Sequence, residues 1–522
     1  MTTTRRIISG SAAAWTRIVI TLFGQIALIP IYLSYWSLEQ YGCWLVIQSI
    51  SGLTTVLSFG HQSFVGHELL KCGSNDRKKL ALIFYSSLPY AIIIGLFELC
   101  IVLGLVYFGA SNIILDQNSS LSIDLLTEAN AALVIQSIVW LLVSSIGGLG
   151  GRLLSPLGYY PRNAWWGVLG SVLTMFVSVT SVVMGAGLII LVYAISFVTI
   201  LLNLFLYFDF WKIFIANNMY PVKPDWILGF KNSFGSIGIA LITFLDLMQQ
   251  QGLRIFISAL VGIKEMAAFS TMRTASNVGR QGIGTITVPI LPELMRFLGV
   301  KDQQRTDSTL AFMWFFVVIL MAPMLLSLQF IMPDIFTIWT RGKITYDPIV
   351  FGLFSISLII YGVGQPAIAI LQGNNLIKEQ IFTTALTTFL VIVGILLLAP
   401  TFGIRSAALI LATVEFINLY FLVKFTKKWL IKNNMHWPAK IFKITFTSAV
   451  INSIGVFVVS TGLLSGIYAF LSIIFLNIFL VKIYFKEIPA LAFYKLNNYY
   501  MNSKVLFVNY RKYIISFYKN KF

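Results

Sequence analysis

The stretch STMRTASNVGRQGIG, residues 270–284, decides how the whole chain is interpreted, because it lies within a predicted membrane-spanning helix. It carries Arg273 and Arg280, with no acidic residue between or beside them. An arginine at the centre of a spanning helix costs about 2.5–3.5 kcal/mol on insertion scales. Two such arginines indicate a hydrated cavity that holds an anionic ligand, provided that the rest of the chain is embedded in a bilayer.

The composition places the chain in a bilayer. Hydrophobic residues make up 58% of the 522 residues and charged residues 11%, and the mean hydropathy is +0.85. A soluble domain carries about 25% charged residues. The chain is therefore a polytopic membrane protein. The three cysteines are scattered and form neither a metal-binding nor a disulfide pattern.

Apolar runs predict an all-α fold with about 14 spans, of which the last two are the least distinct. Each run is long enough to cross about 30 Å of hydrocarbon at about 1.5 Å per residue. The runs cover residues 12–33, 42–65, 80–108, 126–148, 164–184, 187–208, 232–261, 266–296, 309–332, 349–371, 380–400, 403–423, 442–461 and 466–485.

The basic residues predict the orientation of these spans. With the N-terminus inside, 30 of the 37 lysines and arginines fall on the cytoplasmic side, as the positive-inside rule requires. The four on the outside are Lys264, Arg341, Lys343 and Arg405, and those within the membrane are Arg254, Arg273 and Arg280. Both termini are expected in the cytoplasm. The formal charge of +18 thus reflects topology rather than nucleic-acid binding.

Weak internal repeats predict two six-helix lobes related by a pseudo-twofold axis along the membrane normal, with the substrate between them. Three segments recur in order at nearly one offset: SLEQYGCW (37–44) and GIKEMAAF (262–269), LLSPLGYY (153–160) and ILQGNNLI (370–377), MGAGLIIL (184–191) and FGIRSAAL (402–409). The predicted divisions are an N-lobe at 1–209, a cytoplasmic linker at 210–231, a C-lobe at 232–430, two extra spans at 431–487 and a basic cytoplasmic tail at 488–522.

Several of these motifs carry a family resemblance. LEQYGCW followed by LSFGHQSFVGHELLK (57–71), with FISALVGIKEMAAFSTMRT, VPILPELMRF, LQGNNLIKEQ and FGIRSAALILATVEF, resembles bacterial polysaccharide-repeat flippases of the Wzx type. These belong to the multidrug/oligosaccharidyl-lipid/polysaccharide exporter superfamily, here called the MOP superfamily. The resemblance covers roughly residues 10–430. It implies a MATE-like alternating-access fold in the bacterial inner membrane that carries undecaprenyl-diphosphate-linked oligosaccharide outward. It also implies membrane lipid, a polysaccharide polymerase and chain-length proteins as partners.

The embedded charges can be compared by depth. Asp246 and Arg280 lie equally far from the turn near Ile263, so a regular hairpin lets Asp246 neutralise Arg280. Arg254 and Arg273 share another level with no acid in either helix. Helical spacing places Gln250 on the face of Arg254, and Asn277 on the face of Arg273.

We therefore expect Arg254 and Arg273, with Gln250, Asn277 and Arg280 on the same faces, to line a cavity that binds a diphosphate. Arginine suits this ligand because its planar fork donates two parallel hydrogen bonds. The alternative is a set of structural ion pairs with carboxylates from other spans. Arg17 is the matching candidate in the first span, since arginines of the first and eighth spans line the cavity of similar lipid II flippases. Arg17 can also be an interfacial anchor.

The acids Asp246, Glu98 and Glu415 are expected to be buried, either as proton or sodium sites or as partners of the arginines. His61 is expected at the surface near the inner end of the second span. No metal site, phosphate-binding loop or cofactor motif is visible, and the short outer loops leave no room for an extracytoplasmic active site. An enzyme is therefore disfavoured. A cation-coupled multidrug exporter of the same superfamily is the alternative function, although its cavity would need acids.

Overall fold

The computed structural model describes residues 3–73, 76–115, 121–287, 290–374, 376–463 and 467–487, and these form helices with no β-strand. The predicted tail at 488–522 lies outside the described residues. The helices are α1 (Thr3–Tyr35), α2 (Leu38–Thr54), α3 (Val56–Cys72), α4 (Arg77–Tyr107), α5 (Ala110–Leu115), α6 (Ile123–Val143), α7 (Leu149–Leu153), α8 (Tyr160–Val183), α9 (Leu188–Ala216), α10 (Trp226–Leu247), α11 (Leu253–Leu260), α12 (Ile263–Thr287), α13 (Leu291–Gly299), α14 (Gln303–Trp314), α15 (Met321–Trp339), α16 (Pro348–Gly373), α17 (Ile377–Lys432), α18 (Ala439–Ser460) and α19 (Ile467–Glu487).

Among the described residues, three wider π-helical turns interrupt otherwise continuous helices. They are Ser144–Gly148 between α6 and α7, Met248–Gly252 between α10 and α11, and Phe315–Leu320 between α14 and α15. A π-turn adds a residue to a helix and so changes which side chains share a face beyond it. The turn at Met248–Gly252 matters most, because it lies between Asp246 and Arg254.

Short polar side chains start several of the helices. Ser37 and Gln40 form a capping box at α2, with reciprocal side-chain-to-backbone hydrogen bonds of 3.2 Å. Asp76, Asp225 and Asp347 accept backbone N–H groups at the starts of α4, α10 and α16. These caps satisfy amide groups that the helix itself leaves without partners.

Ten described helices are long and apolar enough to cross a membrane, or up to eleven if the bent pair α2 and α3 is one span. The protein is thus a multi-pass membrane protein, while the predicted count of 14 is not confirmed. The 56 residues of α17 hold two of the predicted spans, separated at Gly403, whose φ of 61° breaks the helix. The predicted span containing Arg273 forms α12, which is too polar to be counted among the ten.

The chain divides into two compact units. The first, unit 1, comprises Met1–Ala275, Asp334–Tyr346 and Thr384–Ile410, and the second, unit 2, comprises Ser276–Pro333, Asp347–Thr383 and Leu411–Phe522. The lobe boundaries and the twofold relation inferred from the sequence stay predictions.

Unit 1 packs α1 on α8, α3 on both α4 and α10, and α6 on α9. Its apolar core includes Val65, Leu69, Leu80, Leu149 and Leu153, all fully buried. Burial of this kind holds α3, α4 and α7 together, and this fixed wall supports the polar groups described below.

Unit 2 is organised around α16, which is buried along most of its length and packs on α14 and α18. The indole of Trp314 is buried and donates to the backbone oxygen of Val363 at 3.0 Å. Asn452 on α18 and Asn477 on α19 exchange amide hydrogen bonds of 2.9 and 3.1 Å. Such polar contacts hold helices together where lipid removes the hydrophobic driving force.

Candidate functional site

A cavity of about 740 Å³ opens within unit 1, between α1, α2, α6, α8 and α9. Its described lining contains Arg17 and Arg254 and no aspartate or glutamate. Amide and hydroxyl groups and four aromatic rings make up much of the remaining wall. The cavity therefore carries positive charge and hydrogen-bond donors, which suits an anionic, polar ligand.

Arg254 is positioned by the π-turn that precedes it. Its Nη1 donates to Oε1 of Gln251 at 3.2 Å, and the Ser49 hydroxyl donates to the same oxygen at 3.1 Å. The side chain is partly buried and makes no ion pair within the part of the chain that the structure describes. Neutral amide and hydroxyl groups thus hold the guanidinium while leaving its charge uncompensated.

Arg17 reaches the same cavity from α1. Its guanidinium extends across Gly167 on α8, where a side-chain carbon would lie 3.5 Å from Nη1. The residue is exposed and forms no ion pair with any acid among the described residues. The structure therefore brings Arg17 and Arg254 to one cavity.

Arg273 has a different setting. It donates to the backbone oxygens of Gln249 at 2.9 Å and Gln250 at 3.3 Å, both within the π-turn. The next residue, Thr274, lines the cavity, and the side chain of Gln250 is exposed. Arg273 thus fixes the backbone that carries Gln251 and leads into Arg254.

Arg280 lies in unit 2 and is paired with the carboxylate of Glu415. It also donates to the hydroxyl of Ser357 at 3.3 Å, and its guanidinium lies 4.4 Å from the ring centroid of Tyr361. The depth argument named Asp246 as the partner of Arg280. That prediction is wrong because it compared two neighbouring helices, whereas the carboxylate comes from α17.

The structure gives less information on two further predicted residues, Asn277 and Asp246. Asn277 is partly buried on α12 in unit 2. Asp246 is exposed in unit 1, not buried as expected, and makes no ion pair among the residues described. Their roles in ligand binding or ion coupling stay predictions.

Glu98 caps a broken helix. The helices α2 and α3 meet at Thr55 with a bend of 44°, and Thr55 supplies no side-chain cap to α3. Glu98 on α4 is 4% exposed and accepts the N–H of Ser58 at 2.8 Å and its hydroxyl at 2.5 Å. A carboxylate at a helix N-terminus is stabilised by the free amide groups and by the helix dipole.

Glu98 also lines a second cavity of unit 1, of about 180 Å³. Gln48 and Gln136 lie on the walls of both cavities and exchange amide hydrogen bonds of 3.4 Å. The two cavities thus share this amide pair, and Glu98 lines only the smaller one.

Aromatic residues of the cavity were missed as site residues. Tyr32, Tyr41, Trp44 and Trp140 line it, and none of them is among the site residues predicted from the sequence. Tyr32 lies 6.3 Å from Trp44, between ring centroids. The signal in the sequence that could have identified them is the clustering of Tyr32, Tyr41 and Trp44 within a few turns of two consecutive helices.

His61 is fully buried, so its expected surface position is wrong. Its Nε2 lies 3.2 Å from the Ser87 backbone oxygen, and Asn232 donates to the Ser87 hydroxyl at 3.1 Å. The apolar packing of α3, α4 and α10 encloses this small network. Among the described residues there is no group of three or more His, Cys, Asp or Glu side chains that could hold a metal.

No family model and no curated protein matches the sequence. Solved structures do. An inward-facing multidrug resistance MATE family transporter of the MOP superfamily matches with a TM-score of 0.63 at 12% identity, over 80% of this chain and 95% of its own. The lipid II flippase MurJ in an inward closed conformation matches with a TM-score of 0.62 at 15% identity, over 91% and 98%.

A third match is a MOP superfamily transporter from Pyrococcus furiosus, described as having a binding pocket of reverse polarity. Its TM-score is 0.50 at 14% identity, over 82% of this chain and 94% of its own. At these identities the likeness shows the fold. The chain has a fold similar to that of MOP superfamily transporters, which include exporters and a lipid flippase.

Proposed function

We propose that the protein is a flippase for undecaprenyl-diphosphate-linked oligosaccharide repeat units, which it moves from the cytoplasmic to the outer leaflet of a bacterial inner membrane by alternating access. The observation that carries the proposal is the cavity of unit 1, whose described wall has two arginines and no carboxylate. Neither arginine makes an ion pair among the described residues, so both charges are available to a diphosphate.

The chemistry of the wall supports two kinds of contact with such a substrate. Arg17 and Arg254 supply planar, charged forks that match phosphate oxygens. The rings of Tyr32, Trp44 and Trp140 supply flat surfaces that suit the apolar faces of sugars, and the amides of Gln48 and Gln136 suit hydroxyl groups. Arg273 acts as a positioning residue, because it ties down the turn next to Arg254.

The similarity to a multidrug resistance MATE transporter favours a second candidate, a cation-coupled exporter of drugs or other small molecules. A binding cavity for cationic compounds needs negative charge, since like charges raise the free energy of binding. The cavity of unit 1 has the opposite sign. The lipid-linked anion is therefore the better match.

Deletion of the gene in its native host separates the two functions. A flippase deletion should accumulate lipid-linked glycan on the cytoplasmic side and lose glycan from the cell surface. Plasmid copies of the wild type should restore display, whereas Arg17→Ala and Arg254→Ala copies at equal protein level should not. Normal display together with sensitivity to cationic dyes would instead identify a drug exporter.

The orientation belongs to the same proposal, because outward transport requires the cavity to open first to the cytoplasm. Both termini should be cytoplasmic and Arg341 extracytoplasmic, as the distribution of basic residues predicts. A membrane-impermeant thiol reagent should label Arg341→Cys in intact cells of a variant without the native cysteines. Labelling only in inverted vesicles would reverse the topology.

A further inference from the structure

A groove of about 450 Å³ lies in unit 2, between the end of α17 and the start of α18. This volume is within the range of small-ligand sites. Aromatic and aliphatic side chains form most of its wall, with two lysines at one end. We refer to it as the aromatic groove, which is lined by residues that include Tyr420, Val423, Lys424, Lys427, Phe442 and Phe446.

The groove is apolar along its length and positive at its end. On α17 its wall runs from Phe416 to Lys427, which is roughly 16 Å at 1.5 Å per residue. Phe442 and Phe446 form the opposite wall on α18, with nearly parallel rings 6.0 Å apart. A single hydrocarbon chain suits such a narrow aromatic channel.

The two lysines face this channel without a counter-charge. Lys424 Nζ lies 5.8 Å from the ring centroid of Tyr420, and Lys427 Nζ lies 6.0 Å from that of Phe442. Neither lysine forms an ion pair with an acid in the described part of the chain. A lysine that only extends its ammonium group to the membrane surface does not require an adjacent groove. The position of both lysines at the end of the groove therefore suits a ligand in it.

We propose that the aromatic groove binds one anionic glycerophospholipid, with its phosphate between Lys424 and Lys427 and an acyl chain along Phe442 and Phe446. Charge complementarity selects this occupant, because basic pockets between spanning helices attract anionic lipid headgroups. The site is separate from the arginine cavity, and its occupant is a membrane lipid rather than the transported substrate.

Native mass spectrometry of the purified full-length protein tests the proposal. Micelles would contain either dioleoylphosphatidylglycerol or dioleoylphosphatidylcholine, and the retained lipid would be titrated. The groove variant is Lys424→Gln with Lys427→Gln. The matched control is Lys428→Gln with Lys432→Gln, which removes two exposed lysines of the same helix that do not line the groove. Val423→Trp fills the groove and keeps both charges.

The wild type and the control should retain one phosphatidylglycerol in preference to phosphatidylcholine. The groove variant should bind it about 25-fold more weakly, from about fivefold for each lysine, and Val423→Trp should also lose it. Equal loss in the control, equal retention of both lipids, or full retention by Val423→Trp would overturn the proposal. Binding of undecaprenyl phosphate but not of phosphatidylglycerol would also overturn it.

Discussion

Arg254 in unit 1 and Arg280 in unit 2 are both arginines of predicted spans, yet their surroundings differ. Arg254 is held by the amide of Gln251 and lines a cavity whose described wall has no acid. Arg280 is paired with Glu415 and lies against the ring of Tyr361. An embedded arginine can therefore be neutralised by a carboxylate from a distant helix, as at Arg280, or keep its charge in a cavity, as at Arg254.

The largest effect is expected at Arg254. Arg254→Ala should reduce glycan display more than tenfold, because the cavity loses half of its arginine charge, while Arg254→Lys should keep part of the function by retaining charge without the fork. Display is measured against protein level in the deletion host. Lys231→Ala, an exposed change outside the cavity, is the control.

Normal display by a stably inserted Arg254→Ala variant would contradict the comparison. Arg254 would then have a structural role, as Arg280 does, and the proposal that the cavity binds a diphosphate would be wrong.

A smaller effect is expected at the Arg280–Glu415 pair, and it should fall on stability. Glu415→Gln or Arg280→Gln alone leaves one partly buried charge without its partner, at a cost of about 1–3 kcal/mol. The double variant should unfold closer to the wild-type temperature than either single variant. Additive losses in a thermal unfolding assay would mean that the two residues act independently.

A third test concerns the acid that lies next to the arginine cavity. Glu98→Ala removes the cap of α3 and should cost about 0.5–2 kcal/mol, the usual range for loss of a helix cap. Glu98→Gln keeps an acceptor for the Ser58 N–H and should cost less. Thermal unfolding checks the order of the two variants. If Glu98→Gln is stable but abolishes display, the carboxylate has a role beyond capping.

The smallest effect is expected at an exposed pair of unit 1. Lys264 Nζ lies 2.8 Å from Glu39 Oε1, and the side chains are 53% and 28% exposed. Ion pairs at such positions contribute little to stability because solvent screens them. Lys264→Gln should therefore leave the unfolding temperature unchanged within error. A loss as large as that of Glu415→Gln would remove the distinction between exposed and embedded pairs.

Composition and run length were enough to predict an all-helical, multi-pass fold, because lipid forces every backbone polar group into helices or closed barrels. The comparison of depths along the hairpin named Arg254 and Arg273, and the family resemblance named Arg17, and their roles in binding stay predictions. The relations between side chains were harder to predict. The π-turn at Met248–Gly252 changes the register between Asp246 and Arg254, which a count of residues from Ile263 along a regular helix does not include.

Contacts between residues far apart in the sequence could not be predicted from local spacing, for a different reason. Glu415 is 135 residues from Arg280, and nothing in either segment indicates that they meet. Arg273 is bound to backbone oxygens, which no side-chain pattern reveals. His61 is buried because the packing of three helices encloses it, although its own neighbours in sequence are polar or small.

The break at Thr55 has a mechanical consequence. Just before it, Gly52 lies against Gln251, within the π-turn of the neighbouring helix pair, so two irregular backbones meet at one level. On either side the chains are tightly joined: a side-chain carbon at Gly42 would come within 2.7 Å of Ile263, and one at Gly60 within 2.6 Å of Ala240. The pair α2 and α3 and the pair α10 and α11 can therefore bend together at the level of Gly52 and Gln251, because the chain segments on both sides of it are in close contact. Because α2 carries Tyr41, Trp44 and Gln48 of the cavity wall, such bending would change the width of the cavity without repacking the core around α3.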